Sequence, residues 1–257
     1  SVMNAVDPKA NLFVAAAYGG DGWSPRDQTL QQEIGLIWSS CGVDNEWAPL
    51  RAVLLHRPGE ELGRVSDPDQ AQMMASLDVA RARRQHDDLA DAFRDAGVAV
   101  HYVEPGEPTL GSSDGMVQPN LMFVADLMLM TPEGAILGRP ASTVRAGEER
   151  LVARRLAALG IPILRSVRGG GTFEGADAAW LDPKTVILAR GLRTNAEGAA
   201  QVTSLLREMG VEVIQVGLPH GVMHLMGQLR FADRDLAVAW PGRVPHAAVE
   251  TLRVRGA

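Results

Sequence analysis

Apolar and polar positions follow a repeated order along most of the chain. Two short apolar runs separated by a turn precede a longer amphipathic stretch, a glycine and a third apolar run. Short apolar runs bounded by turn residues are typical of buried strands, and an apolar stripe with helical spacing is typical of a helix that packs on them. The order therefore predicts ββαβ units, whose helices end at Gly97, Gly160, Gly210 and Gly256.

The first two units differ in their expected elements. The first contains a strand, a helix and a strand, and its helix is expected to bury Val79, Leu89, Ala92 and Phe93. The second begins with a hairpin whose turn spans residues 131–134. The expected elements are strands over 50–56, 98–103, 121–130, 135–138 and 161–164, and helices over 77–95 and 144–159.

The third unit repeats this plan, and the fourth follows it until the sequence stops. Pro245 suits the first turn of the fourth helix, because the N–H that proline lacks has no partner at that position. The expected elements are strands over 178–181, 185–189, 211–216, 228–232 and 236–239, and helices over 196–209 and 245–254. No apolar run follows Gly256, so we expect the fourth unit to be cut short and to continue beyond residue 257.

Units of about 50 residues are typical of propellers and other repeat arrays, in which one unit cannot bury its apolar face alone. A closed ring of such units also removes exposed sheet edges. We therefore expect an α/β propeller over residues 46–257, preceded by an N-terminal extension over residues 1–45. The extension has no clear period, and a short helix is expected over residues 28–38.

Composition and charge narrow the classes of protein. The chain has 257 residues, 46% of them hydrophobic, and its net charge of −6 argues against general binding to the phosphate backbone of nucleic acids. Its apolar runs are shorter than the roughly 20 residues of a bilayer span, and its first residues do not resemble a secretory signal. The single cysteine, Cys41, excludes an internal disulfide framework and a cysteine-rich zinc site. We expect a cytoplasmic protein without nucleic-acid or membrane partners.

The most informative chemistry lies in a glycine-rich turn and in the unit that follows it. The turn at residues 169–171 leads to two carboxylates, Glu174 and Asp177, and His224 occupies the corresponding point of the next unit. A carboxylate that orients a histidine is a common way to activate a general base. Both acids could instead stabilise a turn, but their place in the repeat favours catalysis.

Three further charged residues are candidates for binding. Asp126 lies in an apolar run, where an unpaired carboxylate is costly, so a functional role is favoured over a purely structural one. Arg145 and Arg193 are suited to bidentate binding of a carboxylate, although Arg145 could simply face solvent. Thr194 and Asn195 could cap the following helix.

Neither a metal nor a cofactor is expected. His220 and His224 are four residues apart, but the loop Pro219-His220-Gly221 is not the helix that a zinc site of this spacing needs. Cys41 has no grouped partner in the sequence and is expected to be inert.

The repeat and four motifs in order resemble the guanidino-group-modifying enzymes, and the resemblance covers residues 45–257. The opening stretch 45–50 resembles the first strand of amidinotransferases. The motifs are Pro119-Asn120-Leu121-Met122-Phe123-Val124-Ala125-Asp126, Phe173-Glu174-Gly175-Ala176-Asp177, Arg193-Thr194-Asn195 and Met223-His224-Leu225. The family includes arginine deiminase, dimethylarginine dimethylaminohydrolase and the amidinotransferases, and the resemblance implies their five-bladed α/β propeller, the pentein fold.

The resemblance also implies roles for individual residues. His224 resembles the catalytic histidine, and Glu174 resembles the acid that orients it through a hydrogen bond. Asp126 resembles the carboxylate that binds the guanidinium, and Arg145 and Arg193 resemble the arginines that bind the substrate α-carboxylate. The remaining substrate-binding residues are Asn120, Phe123 and Asp177, although Asp177 could instead support the turn.

In this family a cysteine thiolate attacks the guanidinium carbon. That cysteine lies in the fifth blade near the C-terminus, so we expect it beyond residue 257, because Cys41 precedes all four motifs. The 257 residues alone are then expected to show no turnover.

Met226 stands where deiminases and amidinotransferases carry an aspartate, two residues after the histidine. This favours a hydrolase that cleaves a C–N bond of arginine or of an N-substituted arginine such as methylarginine. The alternatives are an amidinotransferase and a catalytically inactive, pentein-like binding module. A homodimer is compatible with each of them.

Overall fold

The computed structural model describes residues 14–104 and 118–256, which form ten strands and six α-helices. The strands are β1 (Ala52–Leu55), β2 (Ala99–Tyr102), β3 (Met128–Thr131), β4 (Gly134–Leu137), β5 (Ile163–Ser166), β6 (Ala178–Asp182), β7 (Thr185–Arg190), β8 (Glu212–Gly217), β9 (Leu229–Asp233) and β10 (Leu236–Ala239). The helices are α1 (Leu30–Glu33), α2 (Glu60–Gly63), α3 (Val79–Asp95), α4 (Glu148–Ala158), α5 (Ala196–Glu208) and α6 (His246–Arg255). None of the helices in these two ranges is both long and apolar enough to cross a lipid bilayer.

The second and third units are complete ββαβ units, as predicted. In each, an antiparallel hairpin is extended by a third strand parallel to the second, so the sheet orders are β3–β4–β5 and β6–β7–β8. The parallel pairing is possible because the intervening helix, α4 or α5, carries the chain back along the sheet. The first unit is the parallel pair β1–β2 around α3, and the fourth is the antiparallel pair β9–β10 followed by α6.

The connecting helices end at the predicted glycines. Gly97, Gly160, Gly210 and Gly256 follow α3, α4, α5 and α6, and their φ angles lie between 72° and 85°. Glycine adopts this left-handed conformation without the steric penalty of a Cβ, so each glycine ends its helix and redirects the chain.

The segment before β3 departs from the prediction. The sequence predicts a strand over 121–130, but a 3-10 turn occupies Val124–Asp126 and β3 begins only at Met128. Leu121 and Leu127 are buried, as the apolar run indicated, but their burial does not come from strand pairing. The turn brings the Asp126 carboxylate to a cationic partner, which offsets the cost of burying its charge.

The helix predicted over 144–159 begins later in the structure. α4 starts at Glu148, because Gly147 has a φ angle of 92° and Thr143–Arg145 forms a separate 3-10 turn. The loop between β4 and α4 is therefore long enough to carry Arg145 into the interior.

The predicted apolar face of α3 is partly wrong. Leu89 is 47% exposed and Ala92 is also exposed, whereas Ala90 is fully buried and Val79 and Phe93 are half-buried. Since residues three or four apart share a helix face, α3 packs through a stripe that includes Ala90 in place of Leu89.

The second and third units share one apolar core. Phe173 and Trp180 are fully buried and belong to the same cluster as Val202 and Leu206 of α5. The indole N–H of Trp180 donates to the carbonyl of Met130 at 2.9 Å. The two units that provide most of the candidate site are thus joined by packing and by a hydrogen bond.

The N-terminal segment packs against the repeats. α1 is a single turn, shorter than the predicted helix over 28–38. The backbone N–H of Ser39 donates to the carbonyl of Gly160 at 3.0 Å, and the Glu46 carboxylate accepts from the backbone N–H of Trp180 at 2.9 Å. The first contact attaches the N-terminal segment to the second unit, and the second attaches Glu46, which directly follows that segment, to the third unit.

Candidate active site

Three 3-10 turns from successive units pack against one another. They are Val124–Asp126 before β3, Gly175–Asp177 before β6 and Leu225–Gly227 before β9, and the middle turn contacts both others. The packing brings one side chain from each unit together, so that nitrogen and oxygen atoms of three residues lie within 4.8 Å of one another: Asp126, Glu174 and His224. The site is therefore built where the repeats meet.

Gly175 allows this close approach. A Cβ at this position would lie 2.0 Å from the carbonyl oxygen of Met128 and 2.5 Å from that of Ala125. Real Cβ atoms do not approach backbone atoms so closely, so the position excludes any side chain. The glycine lets the turn that carries Glu174 lie directly on the turn that carries Asp126.

Replacing Gly175 by alanine is expected to destabilise the fold by about 1–3 kcal/mol, because the backbone atoms around it cannot give way without shifting a packed turn. Gly217→Ala is the matched control, since a Cβ there would meet no atom within 4 Å. Thermal unfolding of both variants tests the expectation. Equal melting temperatures for the two variants would contradict it.

The predicted hydrogen bond between Glu174 and His224 is confirmed. His224 Nε2 and Glu174 Oε2 are 2.5 Å apart. Glu174 is fully buried, and it also accepts a hydrogen bond from the backbone N–H of Ala141 at 3.1 Å and a contact from Arg193 at 3.3 Å. The acid is thus fixed on three sides and holds the imidazole in one orientation.

Electrostatics favour charge on both members of this pair. Burial opposes ionisation of Glu174, but the hydrogen bond to His224 and the positive charge of Arg193 outweigh it, so the pKa of Glu174 lies below its ordinary value. Burial likewise opposes the cationic form of His224, but the bond to Glu174 and the negative charges of Asp126 and Asp177 raise its pKa. The arrangement therefore favours the protonated form of His224, which is the form that a general acid needs.

The Asp126 carboxylate is paired with the guanidinium of Arg145. Arg145 NH1 lies 2.5 Å from Asp126 Oδ2, and Nε donates to Glu148 at 2.8 Å. The remaining NH2 donates to the backbone carbonyls of Asn120 and Phe123, each at 3.2 Å. Arg145 is fully buried, so the alternative that it faces solvent is wrong, and its binding of a substrate carboxylate stays a prediction.

Glu148, which bonds to Arg145, is a buried acid with a raised pKa. Its side chain is fully buried, and burial raises its pKa to about 7 despite the neighbouring positive charge of Arg145. Its Oε1 atom has no hydrogen-bond partner among the described residues. Arg145 is thus paired with two acids, Asp126 and Glu148, whereas Arg193 is paired with Glu174.

The other predicted residues take different positions. Arg193 is 8% exposed and bonds to Glu174. The Asn120 side chain donates to the carbonyl of Ala71 at 2.9 Å, while Phe123 is 51% exposed. The predicted substrate contacts of all three stay predictions.

Asp177 binds protein groups rather than facing an open space. Its Oδ2 accepts from the Thr194 hydroxyl at 2.6 Å, and its Oδ1 accepts from the backbone N–H of Leu225 at 3.2 Å. The sequence did not identify Thr194 or Glu148 as members of the site. Glu148 follows Arg145 by three residues, a spacing that can signal an ion pair, whereas Thr194 resembles an ordinary helix cap.

Cys41 lies elsewhere. It lines a cavity of about 310 Å³ together with Gln31, Ile34, Gly42, Val43, Asp44 and Pro132. Burial raises the pKa of its thiol, which disfavours the thiolate needed for nucleophilic attack. None of the site residues described above lines this cavity.

Among the described residues, one group has ligand atoms close enough together to hold a metal ion, and it consists of Asp126, Glu174 and His224. Its members are engaged with protein partners, since Asp126 bonds to Arg145, and Glu174 bonds to both Arg193 and His224. A metal ion would have to compete with two guanidinium groups for these oxygens.

Comparison with known proteins identifies relatives at low identity. No protein-family model matches the sequence. Dimethylarginine dimethylaminohydrolase of Pseudomonas aeruginosa is 27% identical over 162 residues, which are 63% of this chain and 59% of the relative. The arginine deiminase of Rhodococcus erythropolis is 24% identical, over 82% of this chain and 72% of the relative. The chain thus spans about three fifths to three quarters of the length of these relatives.

Solved structures show the same fold. The Pseudomonas aeruginosa dimethylarginine dimethylaminohydrolase in complex with citrulline has a TM-score of 0.60 at 23% identity, over 74% of this chain and 69% of that one. The N-terminal domain of the cyanobacterial arginine dihydrolase ArgZ, bound to its product, has a TM-score of 0.64 at 17% identity, over 80% of this chain and 72% of that one. In sequence and in fold, the chain is thus a homologue of the guanidino-group-modifying enzymes of the pentein superfamily.

Proposed function

We propose that this chain carries the guanidinium-binding and acid–base residues of a hydrolase that cleaves a C–N bond of arginine or of an N-substituted arginine. The observation that carries the proposal is the position of Asp126. Its carboxylate binds a guanidinium, that of Arg145, beside the His224–Glu174 pair. The matching fork geometry of carboxylate and guanidinium favours a substrate of the same class.

Substrate binding in this proposal is an exchange of partners. The substrate guanidinium replaces Arg145 on Asp126, and the released Arg145 binds the substrate α-carboxylate. The guanidinium and the α-carboxylate of the substrate are thereby paired, and neither Asp126 nor Arg145 is left as a buried, uncompensated ion. Glu148 remains bonded to Arg145 Nε and keeps the arginine close to the site.

His224 carries out the proton transfers of the proposed reaction, and Glu174 assists it. Cleavage of the C–N bond releases an amine, which leaves only if its nitrogen gains a proton. The His224 imidazolium donates that proton, and the neutral imidazole then accepts one from the attacking water. Glu174 stabilises the cationic form of His224 in the first step and holds the ring in place in both.

The attack on the guanidinium carbon requires a nucleophile, which the family resemblance identifies as a cysteine thiolate. Cys41 has no such role in this proposal, because it lines the separate cavity beside Pro132 and its pKa is raised. The proposed roles of the described residues are binding, orientation and proton transfer. We also propose that the units are arranged around the site as blades of the pentein propeller.

The methionine at position 226 favours a site that accepts N-substituted arginines as well as arginine. It is half-buried and directly follows Leu225, so the His224 turn contributes no second carboxylate to the guanidinium. A methyl group on the substrate nitrogen then displaces no ion pair. We propose that N-methylated arginines are accepted alongside arginine.

An amidinotransferase is the second candidate, and it needs the same guanidinium-binding and acid–base residues. It differs in the acceptor, an amine in place of water. The binding-module alternative is disfavoured by the His224–Glu174 pair, because binding a guanidinium requires no proton donor. Product analysis of a protein that also carries the expected cysteine nucleophile separates the three: citrulline for a hydrolase, ornithine with an amidinated amine for a transferase, and neither for a binding module.

Isothermal titration of the 257-residue chain tests the shared first step. Arginine, dimethylarginine and citrulline are compared with norleucine, which has an amino-acid end but no guanidino or ureido group. We expect binding of arginine and dimethylarginine, and at least tenfold weaker binding of norleucine, because norleucine cannot pair with Asp126. Equal affinities for arginine and norleucine would contradict the guanidino assignment. A preference for arginine over every N-substituted analogue would contradict the role given to Met226.

A further inference from the structure

Three segments of the site come from different parts of the chain, and their positions relative to one another must be fixed. They are residues 172–177 with Glu174, residues 191–195 with Arg193, and residues 224–227 with His224. A general acid and its substrate-binding partners must keep their relative positions to within a fraction of an ångström. The contacts of two fully buried side chains, Asp177 and Thr194, connect all three segments.

The Thr194 hydroxyl joins the first two segments. It accepts a hydrogen bond from the backbone N–H of Glu174 at 3.3 Å and donates to Asp177 Oδ2 at 2.6 Å. The backbone carbonyl of Thr194 accepts from the N–H of Gly191 at 3.0 Å, which closes the loop that carries Arg193. The hydroxyl group thus joins the loop to the Glu174 segment, in addition to the hydrogen bonds between Asn195 and Thr172.

Asp177 joins the third segment to the other two. While Oδ2 accepts from Thr194, Oδ1 accepts from the backbone N–H of Leu225 at 3.2 Å. Leu225 directly follows His224 and is itself fully buried. A single carboxylate therefore ties the residue next to the histidine to the loop next to Arg193.

We propose that Asp177 and Thr194 form a positioning pair that sets the relative placement of Glu174, Arg193 and His224. Asp177 then acts through its neighbours and does not touch the substrate, in contrast to the substrate-binding role that the sequence predicted. The part of this inference that concerns ligand affinity rests on the proposed function. The part that concerns His224 does not.

The positioning pair also affects the pKa of His224. The charged groups that face the imidazole are Glu174, Asp126 and Asp177, and Asp177 raises the pKa of His224. Burial raises the pKa of Asp177 to about 6, against the opposing effect of the Thr194 hydrogen bond. Removing the hydroxyl donor raises the Asp177 pKa further, so Asp177 carries less charge near neutral pH and the pKa of His224 falls.

The test compares Thr194→Val, which keeps the shape but removes the hydroxyl, with Thr194→Ser, which keeps the hydroxyl. NMR titration of the His224 ring is the first readout, with its resonance assigned by its absence in His224→Gln. We expect the His224 pKa to fall by about half a unit or more in Thr194→Val and to return in Thr194→Ser. Arginine affinity is the second readout, with an expected loss of about tenfold in the valine variant.

Thr203→Val is the matched control. Thr203 is a buried threonine of α5 whose hydroxyl accepts a hydrogen bond from Gln215 at 3.0 Å. We expect this control to alter thermal stability only, with the His224 titration and arginine affinity unchanged. A Thr194→Val variant that loses stability but keeps both the His224 pKa and the arginine affinity would overturn the positioning role.

The two proposals fail in different ways. If the unchanged chain binds no guanidino compound, the proposed function fails, and the His224 titration still decides the positioning pair because it needs no ligand. If Thr194→Val does not fold, Asp177→Asn takes its place. This variant keeps an oxygen acceptor for Leu225 but removes the charge, and an unchanged His224 pKa in it would reject the inference.

Discussion

Replacing Asp126 by asparagine is expected to reduce the affinity for arginine and dimethylarginine by roughly 10²–10⁴-fold. A bidentate carboxylate–guanidinium contact contains two charge-assisted hydrogen bonds, each contributing about 1.5–3 kcal/mol. Asparagine preserves the volume of the side chain, so the loss comes from charge rather than from a cavity. Isothermal titration with both ligands measures it.

The matched control for Asp126→Asn is Asp87→Asn. Asp87 forms a similar two-bond contact with a guanidinium, that of Arg57, at 2.7 and 2.8 Å, but on the surface of the first unit. Its replacement is expected to leave arginine affinity unchanged. Unchanged affinity in Asp126→Asn as well would reject the assignment of Asp126 as the guanidinium-binding residue.

A second readout of Asp126→Asn is independent of ligand. The negative charge of Asp126 contributes to the raised pKa of His224. Its removal is expected to lower that pKa, which NMR titration of His224 measures. A lower His224 pKa together with lost binding would place both effects at one site.

The repeat could be predicted from the sequence because the glycines that end its helices act through their own backbone conformation. A glycine with positive φ after each amphipathic stretch ends the helix whatever surrounds it, so Gly97, Gly160 and Gly210 marked the units correctly. The strand predicted over 121–130 begins only at Met128, because burial does not distinguish a paired strand from a buried turn. Leu121 and Leu127 are buried in either case.

The pairing of Glu174 with His224 could be predicted because equivalent points of successive repeats lie side by side. The partners of Arg145 could not, since its long side chain reaches both Asp126 and Glu148 and sequence spacing does not show which carboxylate it meets. Thr194 was missed for a related reason. A threonine before a helix matches a cap, and only the fold shows that its hydroxyl binds Asp177 and the Glu174 backbone instead.

Glu148 gives the largest expected effect of pH on stability. Its pKa is about 7 in the folded chain against an ordinary value of 4.5, with burial as the main cause. A group with a raised folded-state pKa favours folding when it is protonated. This contribution is complete below about pH 4.5 and is lost as the pH rises through 7.

The variant Glu148→Gln is neutral at every pH and therefore isolates this contribution. Near pH 4.5, Glu148 and glutamine are both uncharged, and the two proteins are expected to have similar free energies of unfolding. At pH 8 only the unchanged protein buries a carboxylate at this position, with one oxygen lacking a partner among the described residues. The variant is expected to gain stability relative to it, by on the order of 3 kcal/mol between these pH values.

Urea unfolding of both proteins from pH 4.5 to 8 measures this difference, with Glu208→Gln as the control because the Glu208 side chain is 59% exposed.

The competing possibility is that the 2.8 Å bond to Arg145 stabilises the ionised Glu148 more than burial destabilises it. The variant would then lose stability relative to the unchanged protein as the pH rises, which is the opposite sign. Since Arg145 also holds Asp126, the sign decides whether the Asp126–Arg145–Glu148 cluster is strained or stabilised above pH 7. A strained cluster would release Arg145 to a substrate carboxylate more readily.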